Sequence, residues 1–220
     1  MGQVTPLALL KKGAEARIYL ACWHGKKAVL KKRVPKIYRH RQLDETIRSY
    51  RTIHEALLIH EAKKAGVRAP QIYHVNLKDT TIVMEFIEGQ QAKTMLASLK
   101  REQRKELCLK IGQAIGRLHA YGIVHGDLTT SNIILNGEEI VLVDFGLGSK
   151  SLQLEDRGVD LHLMKRALQS THYQFAKECF ENIISGYTEV MGKNDTEKVV
   201  EKIAEIERRG RYVAERKQRV

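Results

Sequence analysis

The sequence predicts an α+β fold of two lobes with a cleft between them, the first rich in short strands and the second mainly helical. Three observations predict it. Up to about residue 88, short apolar runs are broken by turn residues at the spacing of a β-meander. Beyond that point, apolar residues recur at helical spacing through most of the chain. The composition is that of a globular domain: of 220 residues, 43% are hydrophobic and 29% charged. No run approaches the ~20 apolar residues of a membrane span, so no membrane partner is expected.

Each element has a local signal. Turns at Gly13 and at His24-Gly25 separate strands expected over 7–11, 16–22 and 27–32. Asp44 is suited to cap a helix reaching about Lys64, with Ile47, Tyr50, Ile53, Leu57 and His60 on one face and Gly66 at its end. Strands over 72–77 and 81–86 follow, joined at Lys78-Asp79. Glu88-Gly89 then breaks the pattern. The expected division is a first lobe over 1–88, a helical lobe over 89–207 and a basic tail over 208–220. In the second lobe, Leu107, Ile111, Ile115 and Leu118 mark a helix over 98–121, stopped by Gly122. Asn136-Gly137 between the apolar runs 133–135 and 140–143 is a hairpin signal. Helices are expected over 156–170, 172–191 and 195–209.

Charge narrows the classes of partner. Lys plus Arg is 38 and Asp plus Glu is 26, a formal net charge of +12. From residue 26 to 41 there are eight Lys or Arg and no acid; from 208 to 220 there are six and one acid, Glu215. These segments are either solvated surface or a footprint for a polyanion, whose counterions each neutralised phosphate would release. Arg208, Arg209 and Arg211 flank Gly210, where the chain is expected to turn and aim them together. Cys22, Cys108 and Cys179 are odd in number and fit no metal spacing; they read as reduced thiols of a cytoplasmic protein. The first residues lack a charged segment followed by a long apolar core, so no signal peptide is expected.

The strongest chemical signal is in the second lobe. His125-Gly126-Asp127 is followed five residues later by Asn132 and then by Asp144-Phe145-Gly146. This set is similar to that of the protein-kinase superfamily: a catalytic-loop Asp, a metal-binding Asn and a DFG Asp. Mg2+ is a hard cation that takes oxygen ligands in near-octahedral geometry, and Asn132 and Asp144 offer an amide oxygen and a carboxylate. Asp127 would face the attacking group as orienting base. His125 is expected to pack and to hydrogen-bond backbone near the DFG turn, and Asp160 to anchor the catalytic-loop backbone.

The first lobe supplies the partners. Lys31, in Ala28-Val29-Leu30-Lys31, resembles the strand lysine that meets the α and β phosphates of ATP, and Glu55 in mid-helix is its expected ion-pair partner. Strand alternation places the rival Lys32 on the opposite face. Gly13, Ala14, Glu15 and Ala16 occupy the phosphate-covering loop, with one Gly where kinases carry three. Glu15 is awkward beside phosphates unless it meets a metal or a partner. The stretch from Met84 through Glu85 to Ile87 matches the connector whose main chain would meet adenine.

The wording from His125 to Asn132, His-Gly-Asp-Leu-Thr-Thr-Ser-Asn, together with Pro35-Lys36-Ile37-Tyr38-Arg39-His40, resembles the small atypical kinase subunit of the KEOPS complex, the PRPK family. The resemblance implies a minimal bilobal protein-kinase-like fold acting as an Mg-ATP-dependent ATPase and serine/threonine kinase. It also implies partnership with the KEOPS threonylcarbamoyltransferase subunit and the other KEOPS subunits, and support of threonylcarbamoyl-adenosine formation on tRNA, with tRNA met by the basic surface and tail. Three alternatives remain: a RIO-type kinase, expected to lack the DFG triplet; a small-molecule phosphotransferase, expected to need a larger helical lobe; and a nucleotide-bound tRNA or protein scaffold. Gly126 stands where kinases usually carry Arg, and Asp156 comes only ten positions after Gly146.

Overall fold

Alternation along one strand organises the first lobe. From residue 26 to 33, Ala28 and Leu30 face one side of the sheet and pack with Ala21 and Val83; Val29, Lys31 and Arg33 face the other. The computed structural model describes the backbone from residue 4 to 218 and the side chains from 4 to 209. Strands β1 (Val4–Lys12), β2 (Ala16–Trp23), β3 (Lys26–Arg33), β4 (Ile72–Asn76) and β5 (Thr81–Glu85) form an antiparallel sheet in the order β1-β2-β3-β5-β4. Helix α1 (Arg41–Lys64) crosses one face of it.

The expected cap of α1 is corrected, and the orientation of its apolar face is a further finding. Asp44 lies inside the first turn and does not cap the helix. Its carboxylate instead accepts the Lys36 N–H (3.2 Å) and Arg48 Nε–H (2.6 Å), tying the segment before the helix to it. The apolar stripe also faces outward: Tyr50, Ile53 and Leu57 are exposed, while Thr52, Glu55, Leu58, Ile59 and Ala62 are buried.

The second lobe starts with β6 (Gln90–Gln91) and a short α2 (Ala92–Ser98). The long helix expected over 98–121 is α3 (Arg101–Ala120), separated from α2 by Leu99 and Lys100 in extended conformation. Gln103 accepts the Lys100 N–H at 3.3 Å and restarts the helix there. Then come β7 (Ile123–Val124), a 3-10 turn (Thr130–Asn132), the hairpin β8 (Ile133–Asn136) and β9 (Glu139–Leu142), and β10 (Ser149–Lys150). Helices α4 (Leu154–Thr171), α5 (Ala176–Met191) and α6 (Lys193–Gln218) complete the lobe. Helices α3 and α5 lie unusually close: a methyl on Gly112 would sit 2.0 Å from the Ile183 carbonyl oxygen. One continuous core joins Leu58, Ile59 and Ile82 of the first lobe to Ile111, Ile115, Phe145 and Tyr187 of the second.

Helix α6 also corrects the tail. Its backbone runs through Gly210 to Gln218, so the chain makes no turn there. No helix of the described residues is long and apolar enough to cross a membrane.

His172, just after α4, is buried and stacks on Phe175 at 5.3 Å. Burial, with the nearby Lys93 and Arg104, holds its pKa below the ordinary histidine value. The native state therefore resists a proton that the unfolded chain accepts below about pH 6.5, and stability falls as pH falls through that point. Thermal melts of wild type and His172→Phe between pH 7 and 5 check this: the variant is expected to lose less melting temperature over that interval. Equal losses would remove His172 as a source of acid sensitivity.

Candidate active site

Strand β3, helix α1 and the turn after β9 bring three charged side chains into one line. Lys31 Nζ donates to Glu55 Oε1 at 2.5 Å and to Asp144 Oδ1 at 2.6 Å. Burial alone would push the Lys31 pKa down, but the carboxylates of Glu55 and Asp144 outweigh it and raise it above the usual lysine value. Burial likewise opposes the Asp144 charge, and the Lys31 ammonium outweighs it and lowers its pKa. Lys32 points away and is exposed, as alternation requires.

Asp127 and Asn132 sit across the cleft. Asn132 Nδ2 donates to the Asp127 carbonyl and to Asp127 Oδ2, both at 2.9 Å. The amide is thereby oriented, and among the described residues its oxygen accepts no hydrogen bond. It lines the same cavity as Asp144. No group of three or more His, Cys, Asp or Glu side chains that could hold a metal occurs among the described residues. Two oxygen donors lining an open cavity fit Mg2+, which keeps waters and takes the rest of its shell from phosphate.

The loop that carries Asp127 is held from behind. Asp160 of α4, buried, accepts the His125 N–H at 2.5 Å and the Gly126 N–H at 2.8 Å. His119 Nε2 lies 3.3 Å from Asp160, and its Nδ1 3.0 Å from the Tyr187 hydroxyl. His125 Nδ1 accepts the Asp127 N–H (3.4 Å), so Nε2 carries the proton and donates to the Val143 carbonyl (3.1 Å). Its ring packs on Phe145 at 4.6 Å. Burial holds its pKa low, in keeping with a neutral ring. The absence of Arg at 126 has a steric cause: Gly126 has φ 76°, and a Cβ there would lie 2.1 Å from the Leu147 carbonyl oxygen.

Two adjoining cavities share Lys11, Ile18, Lys31 and Asp144. One, of about 310 Å3, is lined by Leu10, Val29, Met84, Ile87 and Ile134, apolar surfaces suited to a flat ring. The other, of about 210 Å3, is lined by Gly13, Ala14, Glu15, Ala16, Arg33 and Asp127. Glu15 meets a partner after all: Arg51 Nη1 lies 3.0 Å from Oε2 and Lys36 Nζ 3.7 Å from Oε1. The Glu85 carboxylate makes a forked pair with Arg68 at 2.6 and 2.9 Å, and the Glu85 backbone N–H donates to the Gln71 carbonyl. Sequence reasoning missed Arg33, Arg51 and His119. Arg33 carried a readable signal, lying two residues after Lys31 on the same strand face.

The RIO domain family model matches residues 24–191. The chain is 45% identical over 212 residues to the KEOPS complex subunit Bud32 of Pyrococcus abyssi, covering 94% of this chain and 96% of that protein. The chain belongs to the Bud32 family of RIO-domain proteins. Members also occur as part of longer chains. A probable bifunctional tRNA threonylcarbamoyladenosine biosynthesis protein of Methanothermobacter thermautotrophicus is 45% identical over 207 residues, and this chain spans 37% of its length. A solved structure of the Rio2 kinase ADP/Mg2+-phosphoaspartate complex from Chaetomium thermophilum superposes with a TM-score of 0.63 at 16% identity. The match covers 91% of this chain and 71% of that one and confirms a kinase-type fold. RIO type and KEOPS type are therefore not opposed readings, and this RIO-domain chain carries Asp144-Phe145-Gly146.

Proposed function

We propose that this Bud32-family chain binds Mg·ATP in the cleft and passes the γ-phosphoryl group to water or to a serine or threonine hydroxyl, as the kinase and ATPase subunit of a KEOPS assembly that supports threonylcarbamoyl-adenosine formation on tRNA. The observation that carries this reading is the convergence of Lys31, Glu55, Asp127, Asn132 and Asp144 on two adjoining cavities. In this reading the Glu85 carbonyl and Ile87 N–H meet adenine, and the loop of Gly13, Ala14, Glu15 and Ala16 covers the phosphates. Asn132 and Asp144 hold Mg2+, which neutralises charge on the phosphate oxygens. Asp127 accepts the proton of the attacking hydroxyl or water as its oxygen bonds to the γ-phosphorus. The bond to the β-phosphate oxygen breaks, and ADP leaves. Lys31, held by Glu55, steadies the phosphates that remain.

The same reading assigns the cations of 208–220 to tRNA and leaves the other KEOPS subunits, the transferase subunit first, as protein partners. The backbone of helix α6 carries the cations from Arg208 to Lys217 along its own axis, Arg219 lies outside the described residues, and Arg209 is already joined to Glu155 of α4. ATP turnover, measured for the chain alone and then with the transferase subunit and tRNA, tests the function. Turnover is expected alone and is expected to rise with both additions; none under either condition would overturn the enzyme reading. Truncation after Gly210 keeps Arg209 and Glu155 together, and is expected to flatten the salt dependence of tRNA binding, since each lost phosphate contact removes about 0.7–0.9 from the log–log slope. An unchanged slope would take the tail out of the tRNA surface.

A further inference from the structure

We propose that Arg33 is a positioning residue that holds Glu55 in place before nucleotide arrives, and through it presents Lys31 to the phosphate-side cavity. The inference rests on the nucleotide-binding reading of the cleft and adds a residue that reading does not use. Arg33 is 4% exposed and Glu55 1% exposed, and Nη2 of the one donates to Oε2 of the other at 2.6 Å. Lys31 takes the opposite oxygen, Oε1. The buried carboxylate therefore has two cations, one per oxygen, and the series Arg33, Glu55, Lys31, Asp144 alternates in sign along its length.

The second contact of Arg33 makes it more than a counter-ion. The same Nη2 lies 3.2 Å from the Arg51 carbonyl oxygen, one helical turn before Glu55. Two anchors a turn apart fix both the distance of α1 from the sheet and its rotation about its own axis. Arg33 is itself braced: its N–H donates to the Thr80 carbonyl at 3.1 Å, and Arg48 Nη1 donates to the Thr80 hydroxyl at 2.8 Å. This is the clamp that turns α1 with Glu55 inward and Tyr50, Ile53 and Leu57 outward.

The division of labour follows from the geometry. When Lys31 turns to phosphate oxygens and Asp144 to metal, Glu55 gives up part of its hold on Lys31. A buried carboxylate left without a cation would be costly and would drag its helix out of place. Arg33 stays on Oε2 throughout, so Glu55 need not move. Without Arg33, both Glu55 oxygens are free to chelate Lys31 and draw it away from the cavity.

Turnover and ATP binding in a double-mutant cycle test the proposal. Arg33→Met and Glu55→Gln are each expected to lower turnover by roughly 10–100-fold, as when a supporting shell is lost. If Arg33 acts through Glu55, the double variant is no worse than about 3-fold below the weaker single. Multiplying losses would overturn the proposal, because a merely structural or independent role adds. Should Arg33→Met fail to fold, Arg33→Lys serves in the same cycle, keeping the charge and replacing the planar guanidinium, whose Nη2 makes both contacts, with a differently placed ammonium. Amide hydrogen exchange of nucleotide-free protein gives a readout that does not depend on ATP chemistry. The amides of residues 51–55 are expected to lose protection in Arg33→Met and to keep it in Lys31→Met. The reverse pattern would overturn the clamp even if turnover is found, and the expected pattern would uphold it even if wild type turns over no ATP.

Discussion

Asp144→Asn is expected to lower ATP turnover by more than about 100-fold while the protein stays folded. The two halves of that expectation come from different properties of one residue. Asp144 has φ 66°, a left-handed conformation that Asn adopts readily, so the turn survives the exchange. Its side chain is 30% exposed and packs little core, and Lys31 keeps Glu55 as partner. The exchange replaces the full charge of one of two proposed metal ligands with a neutral amide, and Mg2+ binds such a site through carboxylate and phosphate charge. Steady-state turnover at several Mg2+ concentrations, beside a thermal melt, is the measurement. Wild-type turnover in a folded variant would remove Asp144 from the metal site. Recovery at high Mg2+ would locate the defect in metal affinity.

Asp160→Ala has the second large effect, and it falls first on stability. Asp160 is 1% exposed and accepts two backbone N–H groups, of His125 and Gly126. Alanine leaves both buried donors without an acceptor, each at a cost of about 1–3 kcal/mol, so a loss of about 3 kcal/mol or more is expected. For a chain of this length that corresponds to a fall in melting temperature of roughly 6–12 °C. Turnover is expected to fall too, since the loop presenting Asp127 is no longer held. Asp160→Asn retains one acceptor oxygen and is expected to lose less of both. A melting temperature within 2 °C of wild type for Asp160→Ala would show that the loop is held by other contacts.

The fold was legible wherever local pattern and tertiary packing agree. The five strands of the first sheet and the Asn136-Gly137 hairpin follow from alternation and turn chemistry, and alternation favours Lys31 over Lys32; the Lys31–Glu55 pairing was legible only through the resemblance to kinases. Helix α1 is where they part. Its apolar stripe is a good core face by periodicity, yet the helix turns a polar face inward because Glu55 meets Lys31 and Arg33 there. The break between α2 and α3 was hidden for another reason: Leu99 and Lys100 are good helix formers, and only their extended backbone ends one helix before the next. Gly210 shows the opposite error, since a single glycine lowers helix stability by about 1 kcal/mol and does not by itself impose a turn. Arg51 and Lys36 were beyond reach because their shared partner, Glu15, lies more than twenty residues away in sequence.

The close approach at Gly126 bears on how such a protein can be controlled. An arginine at that position is the usual means by which a kinase senses a phosphate on the loop beyond the DFG turn. Here the loop itself occupies the space, with the Leu147 carbonyl oxygen 2.1 Å from where the first side-chain carbon would be. Installing the sensor would thus displace the element it is meant to read. A single substitution cannot add this kind of switch, and kinases and phosphatases acting on residues 147–155 would find no listener at position 126.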